Sequence, residues 1–248
     1  MKLKEFFSEH KRVAIAFSGG TDSAYLLYEA LLHAEEVKAY YADSAFQPAF
    51  EKKDALRMAE KLGAQIKVLP VDVLSDKEIA SNPPNRCYFC KRAIFGVITE
   101  EAAKDGFDVV IDGTNASDDI NDRPGFRALS ELSVLSPLRI CGLEKDEIRR
   151  LSHEAGLFTW DKPAYACLAT RIPATEEITA RKLQETEAAE GFLFSLGFRD
   201  FRVRRAGDAA KLQVAQGQMG KVIENRGKIV SELKKYYSDV MLDLEERK

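Results

Sequence analysis

Two groups of residues in this chain have the types and spacing to do chemistry. The first is the run Ser18-Gly19-Gly20-Thr21-Asp22-Ser23, which follows the apolar stretch RVAIAF at 12–17 and leads into a helical stretch at 24–33. Glycines at a strand–helix turn let the backbone approach an anion closely, and the N–H groups and dipole of the helix start then hold it. The hydroxyls of Ser18 and Ser23 can add donors. Asp22 would repel a phosphate unless it holds Mg2+ or caps the helix. The run is neither the P-loop pattern GxxxxGK[ST] nor the dinucleotide pattern GxGxxG.

The second group is the cysteines: Cys87, Cys90, Cys141 and Cys167. Four in 248 residues do not make a disulfide scaffold. Cys87 and Cys90 form a CxxC at the start of a helical run, which puts both sulfurs on one side where the helix dipole favours thiolate. On residue types alone, a redox pair, a Zn site completed by Cys141, Cys167 or a His, an Fe–S site with Cys167, and two ordinary buried thiols all stay open. Cys167 lies between Pro163 and Pro173, which mark a loop, and has Lys162 and Arg171 nearby to favour its thiolate. Cys141 reads as a core or strand-end thiol. His10, His33 and His153 have no ligand spacing.

The elements that position these residues follow from hydrophobic patterning. Short apolar runs at 12–17, 37–42, 65–70 and 107–112 read as buried strands, alternating with helices at 24–33, 48–62, about 87–105 and 146–155. Such alternation predicts an α/β fold with a parallel sheet covered on both faces and its ligands at the carboxyl ends of the strands. Beyond residue 172 the pattern changes to a long helix at 178–196, paired strands at 200–205 and 211–215, further helices to about 237, and a short strand at 240–244. This predicts a domain over 1–171 and a smaller C-terminal α+β domain over 172–248.

With 45% hydrophobic and 31% charged residues the chain is of ordinary globular type. The formal net charge of −3 argues against a polyanion-binding surface. The sequence has no apolar run long enough to span a membrane, and its first ten residues lack a signal-peptide core, so a cytoplasmic protein is expected.

SGGTDS matches the signature of the PP-loop ATP pyrophosphatase superfamily. In order along the chain, SGGTDS, NRCYFCKRAIF, GTNASDD with RPGF, and KPAYACLATRIP resemble the LarE family of pyridinium-3,5-biscarboxylic acid mononucleotide sulfurtransferases, over essentially the whole chain. The resemblance implies an adenine nucleotide alpha hydrolase-like PP-loop domain and a role in nickel-pincer nucleotide biosynthesis. It implies ATP and Mg2+ at Ser18, Gly19, Gly20, Thr21, Asp22 and Ser23, with Asp43, Ser44 and Gly113 near the nucleotide. Asp43-Ser44 and Gly113-Thr114-Asn115 also suit ordinary turns or caps. A carboxylate would be adenylated and AMP displaced by sulfur.

By the same resemblance, sulfur comes either from Cys167 itself or from sulfide on a [4Fe-4S] cluster held by Cys87, Cys90 and Cys167, and the CxxC favours the cluster. Arg202 and Arg204, on one side of a strand, would bind the substrate phosphate, with a solvated strand face as the alternative. Arg171 is a further anion ligand. Glu187 or Glu190 would hold a metal, against a plainer reading as surface-helix carboxylates. The expected partners are a small anionic nucleotide, a sulfur donor and further copies of the chain, with no membrane and no nucleic acid. A tRNA thiolase, an amidating ligase and a non-catalytic nucleotide sensor are the rival functions.

Overall fold

The structure, a computed structural model, describes residues 1–119, 124–245 and 247. In chain order the elements are α1 (Leu3–Glu9), β1 (Arg12–Ala16), α2 (Thr21–His33), β2 (Glu36–Asp43), α3 (Ala49–Leu62), β3 (Ile66–Pro70), α4 (Lys77–Ala80), α5 (Arg86–Lys104), β4 (Val110–Asp112), α6 (Pro124–Glu131), α7 (Pro137–Ile140), α8 (Lys145–Glu154), α9 (Ala180–Ser195), β5 (Phe201–Ala206), β6 (Ala209–Val214), α10 (Met219–Glu224), α11 (Arg226–Leu233) and β7 (Val240–Leu242). A 3-10 turn spans Leu168–Arg171. Among the described residues no helix is long and apolar enough to cross a membrane. The chain divides into two compact units: Met1–Val73 with Asn85–Lys162, and Leu74–Pro84 with Pro163–Lys248.

The first unit holds a four-stranded parallel sheet in the order β3-β2-β1-β4. Side chains of a strand alternate between its faces, and β1 shows this directly. Val13 and Ile15 pack with α1, α2, α3, α7 and α8. Ala14 faces the other way, with Tyr40, Leu69 and the α5 residues Ile98 and Ala102. Burial on both faces is why the strands read as continuous apolar runs. The strand order reverses at β1: the chain runs outward to β2 and β3 on one side, then returns to lay β4 on the other. Open parallel sheets place ligands at such a reversal, outside the carboxyl ends of the strands.

Several elements differ from the sequence expectation, the short helices α4, α6 and α7 among them, which the patterning does not place. The first residues fold as α1, because Leu3, Phe6 and Phe7 fall at helical spacing and are buried on the sheet. The fourth strand shortens to Val110–Asp112, since β4 is an edge strand that pairs with β1 only from Ala14 onward.

In the second unit, β5 and β6 form an antiparallel hairpin, and β7 adds alongside β6 in parallel. Phe201 and Val203 face a core built with Ala189, Leu193, Leu212, Ile229 and Leu233. Arg202 and Arg204 face the opposite side. The segment Leu74–Pro84 is tied into this unit by the backbone bonds Ile178 N–H to Ala80 O (2.8 Å) and Thr175 N–H to Asn82 O (2.8 Å). Asn82 is buried at φ +56°, a left-handed conformation that asparagine tolerates better than most residues. Its Nδ2 donates to Pro173 O at 2.7 Å.

That arrangement predicts an ordered pair of losses. Asn82→Ala should lower unfolding stability by about 2–3 kcal/mol, through the lost buried bond and the strained φ. Asn82→Gly loses the same bond without the strain and should cost about 1 kcal/mol less. Urea denaturation measures both, and equal losses would remove the backbone argument.

Candidate active site

The SGGTDS run starts immediately beyond β1, and its last three residues are the first turn of α2. Gly20 caps the helix with extended backbone (φ −79°, ψ 170°). The N–H groups of a first helical turn have no partner within the helix, so they are free to meet an anion. Ser18 Oγ lies 3.0 Å from Ser23 Oγ, and Thr21 Oγ1 donates to Thr159 O at 2.7 Å. These side chains fix the turn from within and from the segment after α8.

Two glycines make the turn sterically possible. Gly19 sits at φ +73°, and a Cβ there would lie 2.7 Å from the Ala55 Cβ and 2.8 Å from its Cα on α3. Gly113, just after β4, is pressed on the same turn: a Cβ there would lie 2.9 Å from Ser23 N. Both contacts are below what real Cβ atoms show, so each position requires glycine.

Acidic groups ring this end of the sheet, each with a partner. Asp22 Oδ2 accepts from Lys145 Nζ at 2.6 Å, while its Oδ1 is buried without a hydrogen-bond partner. Asp43 pairs with Lys52 (2.6 Å), and Ser44 Oγ donates to Gln47 Oε1. Asp112 accepts from Thr114 Oγ1 at 2.5 Å and from Ser136 Oγ at 2.6 Å. Asn115 and Asp118 hold the loop after β4: Asn115 N–H donates to Asp118 Oδ2 (3.1 Å), and Arg139 donates to Asp118 O (2.8 Å). Arg123 of the RPGF motif lies outside the described residues. The buried, unpartnered oxygen of Asp22 suits Mg2+, which takes one or two carboxylates and completes its shell with phosphates and water.

Cys87 and Cys90 lie one turn apart at the start of α5, with Cys87 exposed and Cys90 half-buried. Arg92 stacks over Tyr88 (5.5 Å) and Phe89 (5.8 Å), and Arg127 over Tyr88 (5.1 Å). Cys141 caps α7 and packs on the main core, and burial pushes its thiol pKa up. Cys167 belongs to the second unit. Among the described residues no three His, Cys, Asp or Glu side chains gather as a metal site.

Cys167 is half-buried and precedes the 3-10 turn. Its carbonyl accepts from Thr170 N (3.0 Å), Thr170 Oγ1 (2.8 Å) and Arg171 Nη1 (3.3 Å). Arg171 Nη1 also donates to Ala166 O at 2.8 Å. The Arg171 side chain is fully buried and meets Glu190 through two bonds, Nε to Oε1 at 2.8 Å and Nη2 to Oε2 at 3.0 Å. Glu190 Oε1 further accepts from Val203 N at 2.9 Å, and its Oε2 from Tyr165 OH. Burial lowers the Arg171 pKa, but the Glu190 bonds outweigh it and hold the guanidinium charged. Glu190 is therefore no surface carboxylate. It falls on the stripe Leu183, Thr186, Glu190, Leu193 of α9, and that helical spacing is the signal that would have placed it inside.

Arg202 donates to Phe201 O (2.6 Å) and Ala164 O (2.7 Å), and Arg204 to Gln213 Oε1 (2.6 Å) and Thr170 O (2.7 Å). Burial, with Arg171 and Arg247 nearby, pushes the Arg202 pKa down to about 10, and burial likewise lowers that of Arg204. These arginines thus line the inner side of the Cys167 segment and do not form a solvated face. Lys145 is the residue that sequence patterning does not single out, because it opens a charged run, KDEIRR, that reads as a solvated helix face.

No protein-family profile matches the chain. It is 35% identical over 212 residues to pyridinium-3,5-bisthiocarboxylic acid mononucleotide synthase of Lactiplantibacillus plantarum, which covers 85% of this chain and 77% of the relative. It is 35% identical over 249 aligned positions to an uncharacterized protein of Synechocystis sp., covering 98% and 92%. To the tRNA-specific 2-thiouridylase MnmA of a Thermotoga species it is 29% identical over 188 residues, 59% of this chain and 52% of that protein. A parallel sheet with the SGGTDS turn at the end of its first strand, together with the 2-thiouridylase likeness, defines a PP-loop protein. Within that class, the chain belongs to the LarE family.

Two substitutions test how this architecture is held. Gly19→Ala forces a Cβ into α3 at a left-handed φ and should cost about 1–3 kcal/mol, readable as a lowered denaturation midpoint. Glu190→Gln leaves the Arg171 charge buried without its counter-ion and should cost about 3–5 kcal/mol. A Glu190→Gln protein as stable as wild type would show that the pair does not hold the Cys167 segment.

Proposed function

We propose that the protein uses ATP to activate a carboxylate of pyridinium-3,5-biscarboxylic acid mononucleotide and converts it to a thiocarboxylate, in nickel-pincer nucleotide biosynthesis. The observation that carries this reading is the open helix start at the reversal of the sheet, held by Gly19 and Gly113. Its substrate follows the name of the Lactiplantibacillus plantarum relative. Ser18, Ser23 and the first-turn N–H groups, that of Thr21 included, bind the phosphates, and Asp22 would hold Mg2+, which supplies charge neutralisation. The carboxylate oxygen attacks the α-phosphorus, pyrophosphate leaves, and an acyl adenylate forms. Activation is needed because AMP is a far better leaving group than the oxygen of a free carboxylate.

Cys167 is the catalytic nucleophile of the second step. Its thiolate attacks the acyl carbon and AMP departs, leaving a thioester to Sγ. The Cβ–S bond then breaks with loss of the Cα proton, which gives the thiocarboxylate and leaves dehydroalanine at 167. Each chain supplies one sulfur in this way, so a second protein molecule with its Cys167 intact serves the other carboxylate. Arg171, through its bonds to Ala166 O and Cys167 O, positions this segment, and its charge favours the thiolate. Arg202 and Arg204 are the anion-binding pair for the substrate phosphate. Their depressed pKa values mark guanidiniums that an incoming phosphate would stabilise.

A second reading rests on the Cys87/Cys90 pair: these two with Cys167 hold a [4Fe-4S] cluster that supplies sulfide, loaded by a separate sulfur donor. The reading includes a cytoplasmic homo-oligomer. The net charge of −3 favours a small anionic substrate over tRNA.

Cys167→Ala should abolish thiocarboxylate formation while substrate-dependent release of pyrophosphate from ATP persists. Full sulfur transfer by that variant would overturn the assignment. Anaerobically purified protein separates the two sulfur routes: about four irons per chain support the cluster, whereas iron-free protein that loses the mass of hydrogen sulfide at Cys167 supports the sacrificial route.

A further inference from the structure

Lys145, the ion-pair partner of Asp22, is the feature of the nucleotide turn that the reaction described above leaves unused. Asp22 stands at the second position of α2, where incoming phosphate oxygens would meet its negative charge. Lys145 neutralises it across a separation of 123 residues, at 2.6 Å, with both side chains mostly buried (30% exposed for Lys145 and 22% for Asp22). Lys145 is itself anchored: it is the first residue of α8, and its N–H donates to Ser117 Oγ at 3.0 Å, in the loop that follows β4. One residue thus ties the loop after β4 to the turn after β1. The other Asp22 oxygen is buried and unpartnered. A carboxylate can accept about four contacts, so this site is underfilled and suited to a cation stronger than one ammonium.

We propose that Lys145 is a nucleotide-binding residue that exchanges partners: in the empty turn its ammonium neutralises Asp22, and when Mg2+–ATP enters, the metal takes Asp22 and the ammonium turns to the β- and γ-phosphate oxygens. The exchange keeps the local charge balanced in both states. It leaves neither a bare carboxylate beside phosphate nor an unpaired ammonium, each of which is costly in a partly buried site. A lysine suits this task because its ammonium is a compact point charge on a flexible stem. The partner is released with pyrophosphate, after which Lys145 returns to Asp22. This inference rests on the ATP reading above.

Titration calorimetry with Mg2+–ATP and with AMP, on wild type and Lys145→Met, tests both claims separately. Charge-assisted contacts of this kind are worth about a tenfold to hundredfold in affinity. Lys145→Met should lose that much for ATP and less than about threefold for AMP, which lacks the β- and γ-phosphates, while Lys145→Arg should recover part of the ATP affinity. Should Lys145→Met unfold, Asp22→Asn/Lys145→Met removes both charges, and it should fold and still bind ATP weakly while holding AMP. Equal losses for ATP and AMP, or ATP binding at wild-type strength, would overturn the exchange. Wild-type protein that binds no ATP would instead overturn the nucleotide reading itself.

Discussion

The contact of Gly19 with Ala55 is the constraint from which the first unit follows. The backbone beyond β1 runs so close to α3 that no side chain fits between them. Gly113 meets the start of α2 in the same way from the β4 side. The turn is therefore clasped from both neighbours of β1, and the first-turn N–H groups of α2 are aimed by backbone packing rather than by mobile side chains. Preorganisation of this kind lets N–H groups meet a developing charge with no reorientation at the moment of reaction. In the polar ring around the turn, Asp43 and Asp112 find partners nearby in sequence, Lys52 and Thr114, whereas Asp22 reaches a distant one, Lys145.

The second unit is organised by a different physics. Its fixed point is a fully buried guanidinium whose counter-ion also accepts a backbone N–H and a tyrosine hydroxyl. A buried ion pair is weak evidence for stability, since a well-packed apolar pair of similar volume is often as good. What the Arg171–Glu190 pair does specify is geometry. It fixes the carbonyls on either side of the Cys167 amide, and so the backbone that carries the sulfur, to a strand and a helix of the same unit. Tyr165 fills the space between Arg171 (4.5 Å) and Arg202 (5.0 Å) and separates two like charges with an electron-rich face.

Much of the first unit was legible in the sequence, because two-sided burial writes parallel strands as apolar runs and the glycine-containing turn breaks them at the carboxyl ends. The β5–β6 hairpin was legible for a similar reason, with turn residues between two alternating stretches. What local patterning does not carry is pairing at long range. Nothing near Asp22 points to Lys145, and nothing near β6 says that β7 joins it in parallel. Glu190 illustrates a subtler failure. A carboxylate on a helix is usually solvated, and only its place in an apolar stripe, opposite an arginine 19 residues earlier, makes its burial tolerable. Leu3, Phe6 and Phe7 escape local patterning because the charged residues around them mask a three-residue apolar face.

The division of the chain bears on modularity. The backbone passes between the units after residues 73, 84 and 162, so Leu74–Pro84 is an excursion anchored at both ends in the first unit and hydrogen-bonded within the second. No single cut frees either part, and recombination at one junction cannot exchange the second unit for another. Any transplant must carry two separate stretches of sequence. Cys87, Cys90 and Cys167 each lie only a few residues past one of these passages. The candidate sulfur chemistry is thus written into the seams of the polypeptide and would be inherited or lost with them.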